Sequence, residues 1–160
     1  MNAAVLTVSD GVHEGTREDR SGDALAELLT EAGFGVVRRV VPDDTQTITA
    51  AIADLSADAA VVLTTGGTGF APRDVTPEAT RQAIEREAPG IAEAIRADAL
   101  ARTPYALLSR GVAGLRGATL VVNLPGSTGG CRDGFAVLAP ALLHGLELAS
   151  GDRDTAHRPT

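Results

Sequence analysis

The densest chemistry in this sequence sits where apolar runs end in glycine. Val61-Val62-Leu63-Thr64-Thr65-Gly66-Gly67-Thr68-Gly69 passes from a buried-type run into three glycines flanked by threonines. Glycine lets backbone N–H groups approach a ligand closely, successive N–H groups form an anion nest, and threonine hydroxyls add bonds to phosphate oxygens. The same residues without a ligand make a tight turn, and both readings stand at this point. A dinucleotide fingerprint is excluded, because Pro72 stands where its last glycine belongs. Next comes Arg73-Asp74-Val75-Thr76-Pro77, in which Asp74 is a candidate Mg²⁺ ligand or, more plainly, a partner for Arg73 or another arginine. Pro42-Asp43-Asp44-Thr45 offers two further carboxylates. One of them, or Thr45, caps the following helix and leaves the other free for chemistry. Asn123-Leu124-Pro125-Gly126-Ser127-Thr128-Gly129-Gly130 and Asp19-Arg20-Ser21-Gly22 are two more loops that lead into helices, where N–H groups point at an anion.

These loops need a frame that brings them together. Ala3–Val8, Gly35–Val41, Ala59–Thr65, Tyr105–Leu108 and Thr119–Leu124 read as strands, and their continuous apolar character suggests cover on both faces. Leu25, Leu28, Leu29 and Ala32 form one helical stripe, closed by Gly33. Thr76-Pro77-Glu78 is a helix start with Thr76 as cap. Pro89-Gly90 breaks that pattern before a second helix running to about Arg102. Phe135, Leu138, Leu142 and Leu146 share one face of a last helix, in which Pro140 predicts a kink or break. The alternation predicts an α/β doubly wound, mostly parallel sheet with helices on both faces. In such sheets ligands bind beyond the carboxyl ends of the strands, where all four loops are expected. Residues 1–150 read as one α/β domain and 151–160 as a polar, frayed tail.

Composition removes several function classes. The chain has 160 residues, a net charge of −7 and no lysine. The acidic balance argues against nucleic acid, and the absence of lysine excludes the phosphate-gripping P-loop and Schiff-base chemistry. The single cysteine, Cys131, cannot form an internal disulfide, and no Cys/His cluster has zinc spacing. His13-Glu14 lacks the second histidine of a zinc protease, since Arg17 occupies that place. His144 and His157 read as structural or solvated, and Cys131 as a small packing residue despite its place at a helix start. No run is long enough to span a membrane and the start is not a signal peptide, so a cytoplasmic protein is expected.

Taken together, the motifs resemble the MogA/MoaB family, most closely the gephyrin G domain and its plant and bacterial counterparts. The likeness runs in order through Thr7–Asp10 (TVSD), Glu18–Gly22 (EDRSG), Val41–Asp44 (VPDD), Leu63–Thr80 (LTTGGTGFAPRDVTPEAT), Glu85–Gly90 (EREAPG), Leu108–Gly117 (LSRGVAGLRG) and Asn123–Ser127 (NLPGS). It implies a MogA/MoaB-like three-layer sandwich, a homotrimer, and molybdopterin adenylyltransferase activity. In that reaction ATP and molybdopterin give adenylylated molybdopterin and pyrophosphate, with Mg²⁺. By the resemblance, Asp43 and Asp74 are the catalytic, metal-holding pair. Ser9, Asp10, Ser21, Gly22, Thr65, Gly66, Gly67, Thr68, Gly69, Ser109, Arg110, Pro125, Gly126 and Ser127 bind substrate or nucleotide, with Arg110 a substitute for the missing lysine. A non-catalytic molybdopterin carrier of the MoaB type is the alternative. Thr128 departs from the family, many of whose members carry proline there. The second domain that some relatives use is absent, so a separate downstream molybdenum-insertion protein is expected as partner.

Overall fold

The computed structural model describes residues 1–151. Six strands form one sheet: β1 (Asn2–Val8), β2 (Gly35–Val41), β3 (Val61–Thr65), β4 (Arg86–Glu87), β5 (Ala113–Arg116) and β6 (Thr119–Leu124), in the spatial order β2-β1-β3-β6-β5-β4. β2, β1, β3 and β6 run parallel, whereas β5 is antiparallel to both its neighbours, β6 and β4. Six α-helices accompany them: α1 (Asp10–His13), α2 (Arg20–Glu31), α3 (Thr45–Leu55), α4 (Thr76–Ala83), α5 (Pro89–Leu100) and α6 (Thr128–Ser150).

Strand side chains alternate between faces, and the sheet divides the core accordingly. Val5, Val61, Leu63, Val122 and Leu124 pack with Leu25 and Leu29 of α2, Ile95 of α5, and Phe135, Leu138, Leu142 and Leu146 of α6. Leu6, Val62 and Val121 pack on the other face with Ile48 and Ile52 of α3 and Ala79 and Ala83 of α4. This is the expected doubly wound sheet with helices on both faces. The expected C-terminal tail, 152–160, lies outside the described residues. No described helix is long and apolar enough to cross a membrane.

Several local expectations need correction. Tyr105–Leu108 is not a strand but part of a 3₁₀ helix, Pro104–Leu108. Pro104 sets the first turn, the Thr103 hydroxyl accepts the Tyr105 N–H, and the side chains of Tyr105 and Leu107 remain exposed. The missing strand is β5, which pairs Ala113 with Val122 and Arg116 with Thr119 across a two-residue turn, Gly117-Ala118. Thr76 does not cap α4. Val75 holds the cap position, and the Thr76 hydroxyl instead donates to the Gly66 carbonyl at 2.9 Å. Helix α4 stops at Ala83 rather than at Pro89, because the chain turns into β4 first. Helix α6 runs unbroken through Pro140. Pro140 and Ala136, whose carbonyl loses its helical donor, both lie on the exposed face, where water satisfies that carbonyl.

Register decides what meets at the sheet edge. Val8 pairs with Val41, Thr7 with Thr65, and Thr65 with Leu124. The loops after β1, β2, β3 and β6 therefore emerge side by side at the carboxyl edge, and the Gly117-Ala118 turn lies at the opposite edge, where β6 begins.

Candidate active site

Each of these loops is fastened by its own chemistry. Ser9 caps α1, its hydroxyl accepting the Val12 N–H. Asp44 caps α3 through the Thr47 N–H at 2.8 Å, whereas Asp43 Oδ2 accepts the N–H of Asp10, the first residue of α1, at 2.8 Å. Asp19 caps α2 through Gly22 N–H at 3.0 Å and also accepts the Thr7 hydroxyl and Arg38. A side chain on Gly22 would meet the Asp19 carboxylate at 2.2 Å, so this glycine serves close packing of α2 rather than contact with a ligand. Ser127 caps α6 through Gly130 N–H. Gly66 and Gly67 take positive φ values of 95° and 65°, which turn the chain sharply off β3.

A polar cavity of about 760 Å³ opens among these ends. Ser9, Ser21, Asp43, Thr65, Gly66, Gly67, Asp74, Gly126 and Ser127 all line it. Of these, Thr65 spends its hydroxyl on the Pro125 carbonyl, at 2.8 Å, and so braces the two loops. A second, largely apolar depression of about 470 Å³ shares Ser127 and takes in Thr68, Gly69, Ser109 and Pro125. All the candidate residues except Asp10, Gly22 and Arg110 thus divide between two adjoining spaces.

Arg110 lines neither space. Its guanidinium pairs with Glu78 and donates to the carbonyls of Gly69 (2.7 Å) and Asp74 (2.6 Å). It therefore shapes the glycine loop from behind and does not replace the missing lysine. Asp10 is likewise occupied. Its carboxylate accepts the Asp43 N–H at 3.0 Å and a two-pronged ion pair from Arg73. Arg73 thus pairs with Asp10, not with Asp74. The Asp74 carboxylate accepts Ala71 N–H at 3.0 Å. Cys131 is fully buried against Thr65 and Pro125, and burial pushes its thiol up to about 11, as befits a packing residue.

The electrostatics of the cavity are mixed. The first turns of α2 and α6 open into it through Ser21 and Thr128, and Arg17 and Arg20 bring positive charge to its lining, Arg20 paired there with Glu18 at 3.1 Å. Unpaired N–H groups at helix starts favour anions. Asp43 and Asp74 face the same volume and favour a cation. Burial pushes the Asp43 carboxyl above the usual aspartate range. The charges of Asp10 and Asp74 push the same way, against the Asp10 N–H and Arg73. Arg73 chiefly, with the Asp43 N–H, holds Asp10 below its ordinary value. Sequence reasoning missed Arg17, Arg20 and the Arg73–Asp10 pair; the charged run Arg17-Glu18-Asp19-Arg20 was the visible signal for the first two.

The family described as "Probable molybdopterin binding domain" matches residues 4–144. The chain belongs to this family. It is 41% identical over 152 residues to "Molybdenum cofactor synthesis protein cinnamon" of Drosophila melanogaster, a match covering 92% of this chain and 25% of that protein. The chain thus spans about a quarter of that relative's length. It is 34% identical over 157 residues to a "Molybdopterin adenylyltransferase" of Helicobacter pylori, covering 95% of this chain and 89% of that one. Among solved structures, the "Molybdopterin biosynthesis enzyme MoaB" of Thermus thermophilus superposes with a TM-score of 0.85 at 46% identity, covering 94% and 96% of the two chains. The family likeness therefore takes in both the sheet and every loop that lines the cavity.

Proposed function

We propose that this chain acts in molybdenum cofactor biosynthesis as a molybdopterin adenylyltransferase. One observation carries the reading: two carboxylates, Asp43 and Asp74, face the same polar cavity as two helix N-termini, with a second, more apolar depression alongside. A polyphosphate needs the first space, and a pterin or base fits the second. The likeness to adenylyltransferases over most of the chain supports the same assignment.

In the proposed reaction a terminal phosphate oxygen of molybdopterin bonds to the α-phosphorus of ATP. The bond from that phosphorus to its bridging oxygen breaks, and pyrophosphate leaves. Positioning and charge neutralisation do most of the work in such transfers. Asp43 and Asp74 would hold Mg²⁺. The residues fit this ion: Asp43 and Asp74 bring two carboxylates to one polar cavity, and Mg²⁺ typically takes one or two carboxylates and completes its shell with water and phosphate. When bound, Mg²⁺ supplies positive charge to the phosphates as negative charge shifts to the leaving group. The N–H groups of Gly66 and Gly67 and the start of α6 bind phosphate oxygens, and Arg17 and Arg20 add attraction at the wall. Arg110 keeps the loop in shape.

Cation binding needs ionised Asp43. Its raised value shifts the acid limb of kcat/KM for AMP transfer above that expected for an ordinary aspartate. A limb at or below the ordinary aspartate value would contradict the assignment. For stability the sign is opposite. Protonated Asp43 favours the fold, a contribution fully present below the unfolded value and lost as pH rises through the folded one.

The deciding experiment mixes protein, molybdopterin, ATP and Mg²⁺ without oxygen and follows adenylylated molybdopterin and pyrophosphate by mass spectrometry and a coupled assay. Product establishes the reaction. Tight molybdopterin binding without product supports the carrier reading. A homotrimer belongs to the same reading. Light scattering should then give three times the 16.3 kDa chain mass. A cytoplasmic setting and a separate molybdenum-insertion partner complete the reading.

A further inference from the structure

We propose that Arg73 is a positioning residue: with Asp10 it forms a latch that fixes Asp74 relative to Asp43. Its catalytic consequence rests on the adenylyl-transfer reading; its structural consequence does not. The latch is a closed set of hydrogen bonds among three chain segments. Arg73 Nε donates to Asp10 Oδ2 at 2.6 Å, and its Nη2 donates to Asp10 Oδ1 at 3.0 Å and to the Asp43 carbonyl at 3.2 Å. Asp10 Oδ1 accepts the Asp43 N–H at 3.0 Å, and the Asp10 N–H donates to Asp43 Oδ2 at 2.8 Å. The ends of β1 and β2 are thereby tied to each other and to the residue next to Asp74.

The glycine loop that carries Asp74 is held from both sides. Arg110 grips the carbonyls of Gly69 and Asp74 on one side, and Arg73 anchors the other to Asp10 and Asp43. Arginine suits this place because its planar fork meets a carboxylate with two parallel bonds, whereas lysine brings a point charge. The Arg73 side chain is 65% exposed, so the pair adds little to global stability. Its effect is geometric: two groups that must meet one ion tolerate little displacement, and a shift near 1 Å can cost about 10²-fold in rate. The rival role for Arg73 is direct contact with a phosphate, in which its partnership with Asp10 is incidental.

The test compares wild type with Arg73→Ala, Arg73→Lys, Asp10→Asn, the Arg73→Ala/Asp10→Asn pair, and Arg39→Ala, which breaks an exposed ion pair to Asp54 outside the site. Three quantities are read: hydrogen exchange of the Ala71 and Asp74 amides, calorimetric binding of Mg²⁺ with a non-hydrolysable ATP analogue, and the kinetics of AMP transfer. The latch requires roughly tenfold faster loop exchange in both Arg73 variants and in Asp10→Asn, with core strands unchanged. Metal–nucleotide binding and KM for ATP should each move by less than about threefold, while kcat should fall at least about tenfold. The double variant should be no worse than the worse single one, since both remove one device. Arg39→Ala should match wild type. Unchanged loop exchange, full rescue by lysine, or effects that multiply in the double variant would overturn the latch. If wild type transfers no AMP, the reaction reading falls, while faster loop exchange in the variants still supports the latch.

Discussion

Asp74→Ala is expected to lower AMP transfer by at least about 10²-fold at saturating ATP and Mg²⁺, the scale seen when one preorganised electrostatic contact is removed from a transition state. Alanine removes both the charge in the cavity and the acceptor for the Ala71 N–H. Asp74→Asn separates the two, because its amide oxygen still accepts that N–H while the charge is gone. A comparable loss in asparagine and alanine variants, with melting temperatures close to wild type, assigns the effect to charge. Activity retained by asparagine would make Asp74 a loop-former, and full turnover by the alanine variant would remove it from the active site. Asp43→Asn tests the other half of the pair and is expected to behave alike.

Gly66→Ala should produce the largest loss of stability in the site. At φ +95° a side chain is strained whatever the space, and here there is none: an added Cβ would lie 2.3 Å from the Val8 carbonyl oxygen. That oxygen belongs to the end of β1 and cannot move without disturbing the pairing of Val8 with Val41. Left-handed strain and overpacking together come to about 2–4 kcal/mol. For a chain of this size that corresponds to a fall of roughly 5–15 °C in Tm. Gly15→Ala is the comparison. It too has positive φ, at 77°, but nothing lies within 4 Å, so only the strain, about 1 kcal/mol, remains. Equal melting temperatures for the two variants would show that the contact with Val8 does not matter.

The centre of the parallel sheet was legible because β1, β3 and β6 are buried on both faces, whereas the edge strand β2, expected to be covered likewise, is largely exposed. Val61-Val62-Leu63 and Leu120-Val121-Val122 have no solvent face to satisfy, and their composition says so. The antiparallel half was not. β5 contains Gly114 and the partly exposed Leu115 and Arg116, and β4 is two exposed residues defined only by pairing with it. Tyr105–Leu108 looked like a strand because it is apolar, but Thr103-Pro104 commits it to a tight turn of helix. At the site, the glycine loops announced themselves through residue type. The roles of Asp43 and Asp74 rested on family resemblance. The Arg73–Asp10 pair was beyond reach because its members are 63 positions apart and meet only when two loops emerge from neighbouring strands. Arg110 was misplaced for the same reason: its partner Glu78 is set by tertiary packing.

The reversal of β5 leaves a handle on the molecule. Its two-residue turn, Gly117-Ala118, stands at the edge away from the cavity, and an atom added at Gly117 would touch nothing within 4 Å. Lengthening such a turn carries only a small entropic cost. An affinity peptide or a fluorophore-bearing loop spliced there would leave the carboxyl edge open, so the protein can be tethered to a surface by its back while ligands enter from the front.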